Sequence, residues 1–390
     1  MDKSELEKIT LPTKYDISRV QMTGTKYKFK LQKNQLNAKS IIIDSFDFIS
    51  FRKKQEADII FFQEKDFNQT DSVAEKILRI MTSRKYRAGS INLLHLEKYK
   101  DIFLKNINYF VERNEPVQFM LPAFPFKIKN PLKSMRGDAD LAEVASFCKF
   151  NEINLQIKKV YPQGAQFHIF HDGHLYYRHF LHSKEDADRY FTSLKRFVNK
   201  LGLDNVIKIR DAFEELEKFN DFPETYQKAR KEMDNLWARD RNTNKKILAI
   251  IKSSHDNINL SDIPEQVLLE INTKKSSDLP AKFQKIKVDI DKRAEACAFE
   301  YMTVQHALEK LNFFSRSVPN GIRLTVHPKE GQIGIYLVKK TTFLLPWMGV
   351  GVLKRNGEVS VRYEIEVKNN KEFIPVIINS EKFPFYYQQK

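Results

Sequence analysis

The 390-residue sequence is 42% apolar, with 30 Phe and 15 Tyr, which excludes a disordered chain and predicts two to three structural units or one large α/β domain with an appendage. Its formal net charge of +16 is spread along the chain with acidic residues interleaved, which argues against a dedicated nucleic-acid groove while leaving nucleic-acid or anion binding as a second reading. No run approaches the about eighteen uncharged apolar residues of a membrane span, and the charged Met1–Lys14 lacks a signal-peptide core, so the chain is expected in the cytoplasm with no membrane partner.

The first forty or so residues are polar and carry no assignable pattern. Ser40–Arg52 and Asp58–Phe62 read as strands. Ser72–Arg84 and Leu94–Arg113 carry helical spacing. Pro116–Leu121 is a short apolar run stopped by Pro122, the pattern of a buried parallel strand. A Pro- and Lys-rich loop, Pro122–Gly137, leads to a predicted helix over Asp138–Phe150 with Asp138 as N-cap. Ala165–His171 and His174–Phe180 flank Asp172-Gly173, a dipeptide that predicts a hairpin. Lys184–Leu201 reads as helix and Asn205–Arg210 as strand. Glu224–Leu311 is mostly helical, with breaks near Asp256–Asp262 and Ser276–Pro280. Beyond Val318, the runs Ile322–Val326, Ile333–Val338, Gly349–Leu353 and Val359–Val367 read as strands. Cys148 and Cys297 lie in apolar, helix-like runs and are expected to be buried free thiols.

The expected fold class is α/β: a Rossmann-like, mostly parallel sheet flanked by helices, with a helical segment and a β-rich C-terminal unit. The expected divisions are 1–110 for an N-terminal α/β segment, 111–220 for the core with the active-site loop, 221–317 for the helical segment and 318–390 for the β-rich unit.

The loop after Pro122 carries the most chemistry. Lys127, Lys129, Lys133 and Arg136 bring four cations within ten residues, just ahead of a helix N-terminus. Cations beside free helix N–H groups make an anion site. Asp140 and Glu143, spaced i, i+3, place two carboxylates on one helix face. The same spacing also suits a solvated basic loop before a capped helix. His168, His171, His174, His179 and His182 fall within fifteen residues. A zinc or iron ion would still need a third ligand and an open position, so they are read as polar hairpin residues or phosphate contacts, with no metal.

Phe124-Pro-Phe-Lys-Ile-Lys-Asn-Pro-Leu-Lys133, followed by Gly137-Asp-Ala-Asp-Leu-Ala-Glu143, resembles the signature of the isonitrile (isocyanide) synthases, the pyoverdine/dityrosine biosynthesis family. That signature runs F-P-F-K-x-x-N-x-x-K, then G-x-x-P-D-x-x-E, and Ala139 stands at its Pro. Ile169-Phe-His-Asp-Gly-His-Leu-Tyr176 resembles the family's I-x-S-D-G-R-V-F. Ile322-Arg-Leu-Thr-Val-His-Pro328 resembles I-R-L-S-I-H-P, and Leu345-Pro-Trp-Met-Gly-Val350 resembles T-P-W-H-x-V. His171 and His174 replace the usual Ser and Arg, and Met348 stands where a His is common.

The resemblance implies a cofactor-independent enzyme. It would turn the α-amine of an amino acid, tyrosine or tryptophan in type, into an isonitrile whose carbon comes from C2 of ribulose 5-phosphate. Some relatives are linked to N-formyl products, which stay as an alternative, and a separate oxygenase is the expected downstream partner. The reaction needs cations for phosphate and carboxylate, acid–base groups and an apolar pocket. Lys127, Lys133, Arg136, Arg323 and His171 are expected to bind the substrates. Asp140, Glu143 and His327 are expected to move protons.

Overall fold

The computed structural model describes residues 40–88, 93–327, 329–338, 344–379 and 381–390. In chain order it contains β1 (Ile41–Ile43), α1 (Phe48–Ala57), α2 (Val73–Thr82), α3 (Lys100–Val111), β2 (Val117–Pro122), α4 (Leu141–Val160), β3 (Ala165–His171), α5 (Lys184–Lys200) and β4 (Ile207–Asp211). The long helices α6 (Phe222–Asp240), α7 (Lys245–Asn257), α8 (Glu265–Thr273) and α9 (Ala281–Lys310) follow. The strands β5 (Ile322–Thr325), β6 (Ile333–Gly334), β7 (Val350–Leu353), β8 (Val359–Arg362), β9 (Phe373–Ile378) and β10 (Tyr386–Gln389) close the chain, with short helical turns between some elements.

The central sheet has the order β4-β3-β2-β5-β6, and every pair in it is parallel. From β2 the chain steps outward through α4 to β3 and through α5 to β4. It then passes through α6–α9 and returns on the other side of β2 as β5. The strand order therefore reverses between β2 and β5, and the carboxyl ends of such strands are where open α/β sheets hold ligands. Phe119, Leu121, Phe167, Ile169 and Ile207 are buried against the helices, and the rings of Phe119 and Phe167 stack at 5.4 Å across the β2–β3 pair. The fold is the expected one, a mixed α/β protein whose parallel sheet is flanked by helices.

A second sheet has the order β1-β9-β10-β7-β8, with parallel and antiparallel pairs. The strands after Val318 thus divide. β5 and β6 complete the central sheet, and β7–β10 join β1 in the second.

Several local expectations are corrected. Most of Ser40–Arg52 is not strand: α1 starts at Phe48, because Asp47 accepts the Ser50 N–H and caps it. Asp58–Phe62 joins no sheet. The Gln156 side chain bonds both the Ile60 carbonyl and the Phe62 N–H, supplying what a neighbouring strand would have supplied. The helical region breaks once more, at 241–244, where Asn244 caps α7. After β8 the chain turns into a short helix, Glu364–Lys368, whose Glu366 accepts the Tyr363 N–H. Strand character after Ile333 stops at Gly334.

Asp172-Gly173 turns no hairpin. β3 ends at His171 and the chain enters a helical turn, Gly173–Tyr176. The glycine answers to close packing: a Cβ there would lie 1.8 Å from the Pro125 carbonyl oxygen and 2.7 Å from the His171 ring.

Candidate active site

The loop leaving β2 begins with Phe124, whose φ of +60° is left-handed and costly for a bulky residue. Two contacts hold it there. Its carbonyl accepts the His171 Nδ1–H at 2.7 Å, and its ring meets Trp347 edge-on at 5.2 Å. Trp347 is buried and acts as packing for this turn.

The helix that follows is capped by Asp140, not Asp138. Asp140 Oδ1 accepts the Ala142 N–H at 2.7 Å, and Glu143 Oε2 accepts the Asp140 N–H at 2.8 Å. Lys127 Nζ lies 2.9 Å from Asp140 Oδ2, 3.1 Å from both oxygens of Glu143, and 2.9 Å from the Pro346 carbonyl. All three charged side chains are wholly buried. Tyr190 donates to Glu143, and the Gly351 N–H donates to Asp140 Oδ2 at 3.3 Å. Burial raises the Glu143 carboxyl above its usual range, with Lys127 opposing and Asp140 adding to the rise. The triad joins the β2 loop, α4, α5, the 345–347 turn and β7.

An ammonium has three protons, and those of Lys127 all face acceptors of the protein. It has no donor left for a substrate anion in this arrangement. Lys133 and Arg136 are engaged as well. Lys133 Nζ donates to Asp256 Oδ1 and to its carbonyl, both at 2.8 Å. Arg136 donates to Glu381 at 2.7 Å, to the Ala139 carbonyl at 3.2 Å and to the Phe383 carbonyl at 3.2 Å. In this arrangement the cations of the expected anion-binding loop are held by protein acceptors, and the loop forms a clasp.

The open chemistry lies at the carboxyl ends of β3 and β5. Asp172 follows β3 directly, Arg323 belongs to β5, and His327 lies just beyond it. Asp172 Oδ1 and Arg323 Nε are buried without a hydrogen-bond partner among the described residues. Burial pushes the Asp172 carboxyl up to about 7, against the pull of Lys329 and Arg323. Burial lowers Arg323 to about 10, against Glu309, Tyr301, Tyr176 and Asp172. The guanidinium lies over the Phe314 ring at 3.4 Å. Lys329 is lowered by burial and by Arg323, and His327 by burial and by Lys329. Both residues are solvent-exposed, so they lie at the surface of this cluster. Tyr176 and Tyr301 stand alongside with ring centroids 5.0 Å apart, and Gln305 donates to the Tyr176 hydroxyl at 2.7 Å.

Asp172, Lys329, Tyr176 and Tyr301 are therefore candidate site residues that the sequence reading did not name. Asp172 had a signal, since it stands at the Asp of the resembled Asp-Gly motif. Reading that pair as a hairpin turn hid it. Of the expected residues, Arg323 acts on Asp172 here and His327 lies just beyond the same strand, beside Lys329, while Asp140 and Glu143 lie in the clasp with Lys127.

On the other side of the Gly173–Tyr176 turn, His174 Nδ1 lies 2.5 Å from Asp211 and Nε2 lies 2.9 Å from Asp188. A cavity of about 280 Å³ adjoins it, lined among others by Arg178, Lys184, Phe191 and Phe213. His171 packs edge-on to His174 at 5.0 Å. Burial and His174 together push His171 down to about 3, so it is a neutral ring tied to Phe124 and lacks the charge expected of a phosphate ligand. His179 and His182 are buried and pushed down to about 3 and 4, and His182 stacks on Phe126 at 4.0 Å. Among the described residues, no three His, Cys, Asp or Glu side chains converge as a metal-ligand set. Cys148 and Cys297 are free and buried, as expected.

Residues 107–374, the greater part of the chain, match the pyoverdine/dityrosine biosynthesis protein family. The chain belongs to that family. The match spans all the motif stretches that meet in the clasp and at the sheet edge. An L-tyrosine isonitrile synthase from Xenorhabdus nematophila is 25% identical over 312 residues, covering 78% of this chain and 89% of that protein. An L-tryptophan isonitrile synthase from Fischerella ambigua is 24% identical over 253 residues, covering 63% of this chain and 72% of that protein. The crystal structure of the PvcA protein from Pseudomonas aeruginosa shares the fold, with a TM-score of 0.61 at 19% identity, over 82% of this chain and 100% of that one.

Proposed function

We propose that this member of the pyoverdine/dityrosine biosynthesis family is an isonitrile synthase. In this reading it converts the α-amine of an amino acid, aromatic in type, and takes the isonitrile carbon from the ketone of ribulose 5-phosphate. One observation supports this placement of the site: Asp172, just after β3, feels the charge of Arg323 from β5 and of Lys329 beyond it, so two of the motifs come together beside the point where strand order reverses.

The roles follow from the local chemistry. The reaction starts with attack of a neutral amine on a ketone; water leaves and an imine forms, and both carbon–carbon bonds of the former ketone carbon then break, releasing the C1 fragment and the phosphorylated C3–C5 fragment of the sugar. Asp172, with its carboxyl near neutrality, takes the proton from the substrate ammonium and returns protons later in the sequence. Arg323 and Lys329 hold the anionic groups, phosphate or carboxylate. His327 exchanges protons with solvent at the rim. Tyr301, half-buried, offers an apolar face backed by the buried ring of Tyr176. Lys127, Asp140 and Glu143 keep the β2 loop against α4, so that Phe124 and Pro125 can seat the Asp172 turn.

The test is mass spectrometry of the purified protein with ribulose 5-phosphate and a panel of amino acids, tyrosine and tryptophan first. A product with one more carbon and two fewer hydrogens than the amino acid is expected. Isotopic carbon placed at C2 of the sugar should appear in it. A formyl group instead would move the chain to N-formyl chemistry, once hydration of the isonitrile is excluded. No product from the whole panel, with the protein folded, would sink the proposal.

A further inference from the structure

We propose that His174 is a positioning residue: as an imidazolium held by Asp211 and Asp188, it fixes the turn that carries Asp172. The role in turnover rests on the isonitrile synthase reading; the clamp itself does not.

The geometry demands the cation. A neutral imidazole has one N–H, and both ring nitrogens of His174 face carboxylate oxygens, at 2.5 and 2.9 Å. A carboxylate only accepts, so both bonds exist only when the ring carries both protons. The two carboxylates come from different elements. Asp211 ends β4, pairs in register with His171, and is itself fixed by accepting the Phe213 N–H at 2.9 Å. Asp188 lies near the start of α5 and is half-exposed. One ring thus fastens the turn after β3 to β4 and to α5.

Asp172 sits between two anchored rings. On one side His171 is bonded to the Phe124 carbonyl. On the other, His174 is bonded twice, and Gly173 between them is pressed on the Pro125 carbonyl. Among the described residues the buried Asp172 Oδ1 has no hydrogen-bond partner, and the carboxylate's hydrogen bond is to its own backbone N–H, so its place follows the turn that these anchors hold. Where the resembled family pattern has Arg, this chain has a group that titrates.

The charged groups around His174 set the sign of its pH dependence. Asp211 and Glu214 face it from the end of β4, and Asp188 and Lys184 from α5. Arg178 and His179 lie on its own turn, while His171 of β3 stands below, with Lys195 of α5 acting on it. Burial would lower His174, but the bonds to Asp211 and Asp188 outweigh it, and the ring rests above the ordinary 6.5. The clamp is complete below that ordinary value and is lost as pH rises through the raised one.

Two measurements on the whole chain test this. In nitrogen-15 NMR, His174 should keep both ring protons past pH 6.5, and the Asp172 carboxyl should titrate at a different pH in His174→Gln than in the parent. A His174 midpoint at or below 6.5, or an Asp172 titration unmoved by the substitution, would overturn the proposal without any assay of turnover. In kinetics, His174→Gln should lower kcat about tenfold or more with little change in KM. His174→Arg should restore kcat at neutral pH and remove the alkaline limb of the profile. A limb that persists in His174→Arg, or a parent-like kcat in His174→Gln, counts against it. A parent protein that makes no isonitrile would remove the functional reading and the proposed role in turnover with it, while the NMR titrations still decide the clamp.

Discussion

Tyr190 donates its hydroxyl to Glu143 at 2.8 Å, and with that bond α5 closes over the capped start of α4. The bond belongs to a buried set in which one ammonium answers two carboxylates. Such a set is costly to break from one side, because the remaining charges stay out of water.

Lys127→Met should therefore act on stability first. It leaves Asp140 and Glu143 buried without their cation, and a loss of about 3–5 kcal/mol is expected in urea unfolding. Tyr190→Phe removes one neutral donor and should cost about 1–2 kcal/mol. A Lys127→Met protein with parent stability and a raised KM for the sugar phosphate would instead mark Lys127 as an anion ligand.

Asp172→Asn separates stability from turnover. The Asp172 carboxyl is raised from 3.8 to about 7, so the fold favours its neutral form. That advantage is full below the ordinary value and is lost as pH rises through about 7. At pH 8, about one unit above that raised value, the parent holds an ionised buried group and the variant does not, so Tm of Asp172→Asn should exceed that of the parent. In mildly acid buffer the gap should shrink. The kcat should fall about 10²-fold or more. Equal Tm at both pH values would argue that Asp172 is already well solvated.

Arg323→Met should raise KM for whichever substrate presents its anion there, by about tenfold or more. Comparing KM for the sugar phosphate and for the amino acid identifies which one. Arg323→Lys keeps the charge but loses the flat contact with Phe314, and should rescue only partly. Unchanged KM for both substrates would remove Arg323 from the site.

Gly173→Ala tests the close approach. Its Cβ would meet the backbone oxygen of Pro125 at 1.8 Å, so the turn has to move. A loss of about 1–3 kcal/mol or more is expected, measured by thermal unfolding.

The parts of this fold legible in the sequence were those fixed by local pattern. Pro116–Leu121 reads as a buried strand because its apolar run ends in proline, and Lys184–Leu201 as a helix because its apolar residues recur at helical spacing; β2 and α5 stand there. Asp58–Phe62 has the same kind of apolar run as a strand, yet its partner is a side chain of α4 nearly a hundred positions later. No local pattern records that. The site was half legible for the same reason. The motif residues were visible, but sequence spacing could not tell a cation with an unpartnered nitrogen from one held by Asp140 and Glu143. Lys127 and Arg323 look alike as letters; burial among carboxylates separates the first from the second. Asp172 was masked by its own neighbour, since Asp-Gly signals a turn wherever it occurs, and the Pro125 oxygen and the His171 ring explain this glycine.

The parallel pairing of β1 with β9 joins Ile41 to Val376, with nearly the whole described chain between them. On the ribosome, β1 is therefore made early and must wait for β9 before it can take its place. Until then Ile41 and Ile42, still partly open to water in the finished protein, present an unmatched strand edge to whatever is nearby. The central sheet can assemble as its own strands emerge, whereas the second closes last, so a chaperone that shields this short apolar stretch should matter most to yield in the interval before synthesis ends.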